Sequence, residues 1–231
     1  MARKLDPYIE RAFAPFGPAL EKAGVTPNQL TMLGVALSFA GAAVVAGGRL
    51  RLGMSILIFT WLFDVADGAY AKYSGQVSRF GGFLDSVMDR YTEGAVFVAF
   101  VYYYAAAGKP LMSAATVFAL IGAAAVSYAR ARAENEIGRK CDVGVGARLP
   151  RLIIIAATTL AGVPEAGILA VAALSHYTVF QRIAYTRKVL RANEPGGNTN
   201  DKEQHNTGER ETGSIDPRLL RRDLHHADRR G

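Results

Sequence analysis

Residues 30–47 read LTMLGVALSFAGAAVVAG, an apolar stretch without a single charged side chain. A helix needs about 20 mainly apolar residues to cross the hydrocarbon core of a membrane. A helix of a soluble globule normally carries a polar stripe with a period of about 3.6 residues, and this stretch is apolar on every side. The stretch therefore predicts a membrane-spanning helix.

Five further stretches of the chain have the same apolar character. They are Leu52–Phe63, Gly94–Ala107 (with an apolar pattern reaching back to Phe80), Leu111–Ala129, Leu152–Val163 and Ala166–Phe180. The alternative is an all-helical soluble globule, which requires amphipathic helices, and most of these stretches are not amphipathic. We therefore predict an all-α integral membrane protein with six transmembrane helices, of which the fifth is the shortest.

The average composition of the 231 residues combines two unlike regions. Half of the residues are hydrophobic, yet the mean hydropathy is only +0.12 and the net charge is +7. Residues 193–231 lower the mean hydropathy of the whole chain, because they hold 7 basic and 8 acidic residues and few apolar ones.

We predict an interfacial amphipathic helix over residues 1–25, a six-helix domain over 26–192 and a polar, disordered tail over 193–231. The single cysteine excludes a disulfide framework.

The basic residues lie mainly in the segments that six spans would place on the same side as the two termini. Residues 130–151 alone contain six of them, whereas the opposite loops contain only Arg49, Arg51 and Lys109. Short cytoplasmic loops of membrane proteins are rich in Lys and Arg. We therefore predict a multi-pass protein of the cell membrane with both termini in the cytoplasm, and the positive charge requires no nucleic-acid partner.

Four aspartates flank the gap between the second and third predicted spans. Asp64 and Asp67 are three residues apart and Asp85 and Asp89 are four apart, so each pair lies on one face of its helix. Carboxylates near a membrane are costly unless water, cations or both compensate them. Their oxygens suit Mg²⁺ or Mn²⁺, and two pairs can hold two ions that clamp a phosphoryl group.

The small residues near these aspartates leave room for a substrate, and Lys72 can reach a phosphate oxygen as a point charge. The alternative interpretation is a set of interfacial carboxylates paired with Lys72, Arg79 and Arg90. Two same-face pairs flanked by small residues favour the first interpretation, a cytoplasmic metal site for a phosphorylated substrate.

This pattern resembles the signature of the CDP-alcohol phosphotransferase family of membrane enzymes, D-x-x-D-G-x-x-A-R, eight residues, then G-x-x-x-D-x-x-x-D. The matching residues are Asp64, Asp67, Gly68, Ala71, Lys72, Gly81, Asp85 and Asp89. Lys72 stands where the family has Arg, which keeps the charge and loses the bidentate fork. The resemblance extends over residues 26–191.

The resemblance implies a six-helix domain, usually a homodimer, with a di-metal site that opens to the cytoplasm. A hydroxyl of an acceptor attacks the lipid-side phosphorus of a CDP-linked lipid, and CMP leaves. Asp64, Asp67 and Asp85 would be metal ligands, and Asp89 a ligand or the general base. The residues that would contact the cytidine diphosphate are Asn28, Thr31, Gly68, Lys72 and Ser78. Thr26 and Pro27, just before Asn28, also form an ordinary helix start.

The surroundings of the third span and two later segments are similar to the branch of this family that uses inositol phosphate. In that branch basic residues bind the phosphate of the acceptor, and here they would be Arg130, Arg148, Arg151 and Arg182. Arginine forms directed hydrogen bonds to phosphate. The alternative is that these residues only satisfy the charge bias of cytoplasmic segments.

We predict transfer of a phosphatidyl or archaetidyl group from CDP-diacylglycerol or CDP-archaeol to inositol 1-phosphate. Glycerol 3-phosphate, the acceptor of a phosphatidylglycerophosphate synthase, is the second choice. A non-catalytic lipid-binding scaffold is a further alternative. A divalent-cation transporter is disfavoured, because it would need acidic residues in several spans and these four lie on two.

Overall fold

The computed structural model describes residues 17–193, apart from the side chains of residues 62 and 64–66. Most of the predicted amphipathic helix, and the predicted tail beyond residue 193, lie outside this range. Within it, the regular elements are seven α-helices: α1 (Gly17–Lys22), α2 (Pro27–Ala46), α3 (Leu50–Tyr73), α4 (Arg79–Ala106), α5 (Pro110–Ile137), α6 (Arg148–Leu160) and α7 (Pro164–Asn193). Of the described residues, 17–186 form one compact unit.

Each of the six predicted spans corresponds to one helix from α2 to α7, although the fifth span extends three residues beyond the end of α6. By length and composition, α2 and α5 are long and apolar enough to cross a membrane. Charged residues interrupt α3 and α4, and α6 has 13 residues, about 20 Å at 1.5 Å per residue. Two candidate spans are thus identified, and six crossings remain a prediction.

The helices are longer than the apolar stretches where they approach the aspartates. The predicted second span ends at residue 63, whereas α3 continues to Tyr73, and α4 begins at Arg79, fifteen residues before Gly94. A helix satisfies its own backbone hydrogen bonds whatever its side chains are, so a charged residue ends an apolar stretch without ending the helix.

Side-chain caps determine where two helices begin at the end of the bundle that carries the aspartates. Thr26 caps α2 in a reciprocal box with Gln29, and Pro27 occupies the first turn. Ser78 caps α4, since its hydroxyl accepts a hydrogen bond from the backbone N–H of Gly81 at 2.9 Å. These caps place Asn28 and Gly81 close together, as described below.

The interior of the bundle is apolar and draws on all six long helices. Its fully buried large side chains include Val45, Met54, Leu57, Phe97, Phe100, Ile155 and Ile168. The outer surface is also apolar in many places, for example at Leu111, Phe118 and Phe180, which are 84 %, 53 % and 73 % exposed. Such large exposed apolar areas are typical of a surface that contacts lipid rather than water.

The backbones of α2 and α3 touch at a glycine. A Cβ atom added to Gly53 would lie 2.8 Å from the carbonyl oxygen of Gly41 and 2.7 Å from the backbone nitrogen of Val45. Because backbone atoms cannot rotate away, a side chain at Gly53 would force the two helices apart.

We expect Gly53→Ala to lower the free energy of unfolding by about 1–3 kcal/mol, because it overpacks this helix contact. Thermal unfolding in detergent measures the change. Gly94→Ala is the control, since an added Cβ there meets nothing within 4 Å. It should be neutral or stabilising by up to about 1 kcal/mol. An equal loss in both variants would contradict the packing argument.

Candidate active site

The predicted site residues lie at one end of the bundle, on α3, α4 and the start of α2. The turn of residues 74–78 joins α3, which carries Asp67, to α4, which carries Asp85 and Asp89. A Cβ atom on Gly81 would lie 3.0 Å from Ser78 Oγ and 3.4 Å from Asn28 Oδ1. The first turn of α4 therefore packs directly against the first turn of α2.

Asp67 links α3 to α2. Its side chain is buried, 6 % exposed, and the hydroxyl of Thr31 donates a hydrogen bond to Asp67 Oδ2 at 2.5 Å. Thr31 Oγ1 also lies 3.1 Å from the carbonyl oxygen of Pro27. Thr31 thus holds the buried carboxylate of Asp67 in place.

Asp89 links α4 to α6. Its Oδ1 lies 2.5 Å from Nη1 of Arg148, and its Oδ2 lies 3.4 Å from Nη1 of Arg90. Nη2 of Arg148 lies 3.4 Å from the hydroxyl of Thr92, one turn further along α4. The carboxylate predicted as a general base is therefore held by a guanidinium predicted to bind the acceptor.

A small enclosed cavity lies where these contacts converge. Its lining includes Thr31 and Asp67 on one side and Thr92 and Arg148 on the other, so four helices contribute to it. Gly68 and Gly82 border open space within the described part of the chain, because an added Cβ at either residue meets no described atom within 4 Å. Because Gly68 directly follows Asp67, part of this open space lies next to a predicted metal ligand.

The chemistry of the donor set fits a divalent cation. The four predicted ligands are carboxylates, which are hard oxygen donors, and no Cys or His is among them, which suits Mg²⁺ or Mn²⁺. Among the described side chains, no three acidic, histidine or cysteine residues are grouped closely enough to hold a metal ion. The side chain of Asp64, one of the four predicted ligands, lies outside the described part, and Asp85 and Lys72 both have interaction partners.

The four predicted acceptor-binding arginines have different surroundings. Arg130 is partly exposed and pairs with Glu134 at 3.0 Å and with Asp142 at 2.8 Å. Arg148 pairs with Asp89, as described above. The guanidinium group of Arg130 lies at the surface, whereas the Arg148 side chain is 21 % exposed and lines the small cavity.

Arg151 and Arg182 are buried and engaged inside the protein. Arg151, 1 % exposed, contacts Glu93 at 2.6 Å and donates to the carbonyl oxygen of Gly146 at 2.5 Å. Arg182, 3 % exposed, donates to the carbonyl oxygens of Val143 and Val126. In this structure both residues hold the connection between α5 and α6 (residues 138–147) against the bundle.

Glu93 is the partner that the sequence interpretation missed. It directly precedes the uncharged stretch that starts at Gly94, and its side chain is only 4 % exposed. A lone acidic residue beside a membrane span signals a buried partner, and six basic residues between 130 and 151 were candidates. The choice of Arg151 follows only from the packing of α6 on α4.

We expect Glu93→Gln to lower the free energy of unfolding by about 3–5 kcal/mol, because it leaves the Arg151 guanidinium buried without its counter-charge. Thermal unfolding in detergent tests this. Glu136→Gln is the matched control, since Glu136 pairs with Arg132 at the surface, where such pairs contribute about 0–1 kcal/mol. The prediction is wrong if the two variants unfold at the same temperature.

Comparison with known proteins gives a consistent result over the helical domain. The model of the CDP-alcohol phosphatidyltransferase family matches residues 24–183, which include every aspartate and arginine discussed above. The chain is 33 % identical over 191 residues to an archaetidylinositol phosphate synthase of Pyrococcus horikoshii, covering 82 % of this chain and 98 % of that protein.

Solved structures of the Mycobacterium tuberculosis phosphatidylinositol phosphate synthase have the same fold. The form with CDP-DAG bound superposes with a TM-score of 0.73 at 31 % identity, over 81 % of this chain and 96 % of that chain. The complex with manganese and citrate superposes with a TM-score of 0.71 at 32 % identity, over 75 % and 88 %.

Proposed function

Because the chain belongs to the CDP-alcohol phosphatidyltransferase family, we propose that it transfers a phosphatidyl or archaetidyl group from a CDP-linked lipid to inositol 1-phosphate, releasing CMP. The proposal rests on the similarity of this chain to enzymes that make phosphatidylinositol phosphate or archaetidylinositol phosphate. That similarity extends over nearly the whole length of those enzymes. The chain is thus a membrane transferase of phospholipid synthesis. We further infer a homodimer with its active site and termini in the cytoplasm.

The aspartates of α3 and α4 are the proposed metal site. Asp64, Asp67, Asp85 and Asp89 would hold two Mg²⁺ or Mn²⁺ ions, and the manganese complex of the mycobacterial enzyme supports a divalent cation in this fold. When bound, the ions neutralise charge on the diphosphate and on the departing CMP. Thr31 orients Asp67 through its hydrogen bond and thereby defines one edge of the site.

Residues around the open space beside Gly68 would receive the CDP-lipid. Asn28 of α2 and Ser78, the N-cap of α4, both lie near Gly81 and would contact the nucleotide. Lys72, one turn beyond Gly68, would supply positive charge to a phosphate oxygen. The Lys72 ammonium makes a point-charge contact where the family arginine makes a forked one.

Asp89 is the proposed general base. It takes the proton of the acceptor hydroxyl while that oxygen bonds to the lipid-side phosphorus and the bond from phosphorus to the CMP oxygen breaks. Its ion pair with Arg148 supports a coupled arrangement of base and acceptor. A phosphate group of the acceptor competes with Asp89 for the same guanidinium, so acceptor binding loosens the contact that holds the base.

The acceptor site would lie beside Arg130 and Arg148, with Arg151 and Arg182 as the further proposed phosphate ligands. The accessible groups of Arg130 and Arg148 favour a phosphorylated acceptor, because charge-assisted bonds from arginine to phosphate are strong and directional. In the arrangement described above, Arg151 and Arg182 support this site by holding residues 138–147 in place.

The reaction is tested with purified protein, CDP-diacylglycerol or CDP-archaeol, Mg²⁺ or Mn²⁺ and a panel of phosphorylated alcohols. We expect CMP release with inositol 1-phosphate. CMP release only with glycerol 3-phosphate would identify glycerol 3-phosphate as the acceptor instead of inositol 1-phosphate. No CMP release with any acceptor would favour the non-catalytic scaffold.

We expect Asp89→Asn to reduce turnover at least about 100-fold, because an amide cannot accept the hydroxyl proton. Binding of CDP-lipid should change little, and both quantities are measured on the same preparation. Glu136→Gln, a change of an exposed carboxylate at the same end of the bundle, should leave turnover intact. Normal turnover in Asp89→Asn would remove this residue from the mechanism.

We expect Arg130→Gln to raise the KM for inositol 1-phosphate about tenfold or more, since a charge-assisted hydrogen bond contributes about 1.5–3 kcal/mol. The KM for the CDP-lipid should stay within a factor of two or so of its original value. Arg132→Gln removes the same charge two residues along α5, where the side chain is exposed and paired with Glu136. Equal effects of both variants on the acceptor KM would argue against a specific contact.

A further inference from the structure

The end of the bundle opposite the aspartates contains an open cavity of about 530 Å³ that the proposed reaction does not use. It lies where the α2–α3, α4–α5 and α6–α7 turns meet. The charged residues in its lining are Arg49, Arg51, Lys109 and Glu165. Arg49, Arg51 and Lys109 are the basic residues that the predicted orientation places on the side opposite the cytoplasm.

The charge of this cavity is positive, because one carboxylate faces three cations. Glu165 forms an ion pair with Lys109, whose Nζ lies 2.8 Å from Glu165 Oε1, and this hydrogen bond raises the pKa of Lys109. For Arg49 and Arg51, the residues between 17 and 193 provide no carboxylate within ion-pair distance. Two guanidinium groups are therefore available to an anion.

The position of Arg51 is defined by a close approach to the α6–α7 turn. A Cβ atom on Gly162 would lie 3.2 Å from Arg51 Nη2, and Gly162 has a φ of 83°, which favours glycine. Arg51 thus reaches from the start of α3 to the turn that precedes α7. This contact closes one side of the cavity with a cation.

Helix ends add to the positive potential. Arg49 and Lys109 are the N-cap residues of α3 and α5, and neither side chain caps its helix, so the first turns of both helices present their positive dipole ends without a side-chain acceptor. The N-terminus of α7 also borders the cavity, at Pro164 and Glu165.

A buried hydroxyl gives an independent indication of a ligand. Thr159 lines the cavity, is 1 % exposed, and its Oγ1 has no hydrogen-bond partner in the part of the chain that the structure describes. Buried polar atoms are normally satisfied, since an unsatisfied one costs about 1–3 kcal/mol. Because Thr159 lines the cavity, an oxygen atom of a bound ligand is a candidate partner for this hydroxyl.

We propose that this cavity binds the phosphate group of an anionic phospholipid from the leaflet that this end of the bundle faces. Phosphate matches the two arginines and the helix N-termini. A lipid is favoured over a soluble phosphate because large apolar side chains beside the cavity, Leu52, Leu111 and Val163, are 51 %, 84 % and 52 % exposed and can contact acyl chains. The lipid would stabilise the junction of the three turns.

The test uses the full chain in a neutral detergent, with native mass spectrometry to count bound lipids during titration with phosphatidylglycerol or phosphatidylcholine. We expect tighter binding of phosphatidylglycerol and a loss of at least fivefold in its affinity in the double variant Arg49→Gln/Arg51→Gln. Phosphatidylcholine binding should not change. The variant Arg49→Lys/Arg51→Lys keeps the charge and should retain part of the affinity.

The matched control is Arg132→Gln/Lys140→Gln, which removes two exposed charges at the opposite end of the bundle. An equal loss of phosphatidylglycerol in both double variants would show binding by net charge and overturn the site, as would no loss in either. Inorganic phosphate added as a competitor distinguishes the phosphate group of a lipid from soluble phosphate as the ligand of this cavity. Displacement of the lipid at millimolar phosphate would show a soluble-anion site and overturn the lipid assignment.

Discussion

A charged side chain buried among apolar helices needs a partner of opposite charge. At the end of the bundle that carries the aspartates, the arrangement of the helices depends on the ion pair between Arg151 and Glu93. Neither side chain has access to water, so each needs the other. The pair joins α6 to α4, and the same guanidinium holds the carbonyl oxygen of Gly146. It thereby anchors the α5–α6 connection and places Arg148, three residues earlier, next to Asp89.

The candidate site is built by similar cross-helix contacts. The hydroxyl of Thr31 connects α2 to Asp67 on α3, and Arg148 connects α6 to Asp89 on α4. Thus α3 is connected to α2 and α4 is connected to α6, while Gly68 of α3 and Gly82 of α4 border open space within the described part of the chain. A polar site on membrane helices requires this arrangement, because the carboxylates need compensation and the substrate needs room.

Much of the architecture was predictable from local sequence. Apolar stretches located six helices, and the spacing of four aspartates predicted a divalent-metal site at one end of them. The apolar stretches alone did not give the ends of α3 and α4, because a charged residue ends an apolar stretch while the helix continues to Tyr73. The arginines were identified as a group, yet sequence gave no means of separating Arg130 and Arg148, which are accessible or line the cavity, from Arg151 and Arg182, which are buried.

The sequence by itself determined the helical periodicity, the membrane character of the outer surface and the two pairs of carboxylates, because these depend on residue type and on spacings of three or four residues. Only the tertiary structure decided which charges meet. Glu93 and Arg151 are 58 residues apart, and Thr31 and Asp67 are 36 apart. Such pairs form when helices pack side by side, and packing depends on side-chain shape along whole helices rather than on any local motif.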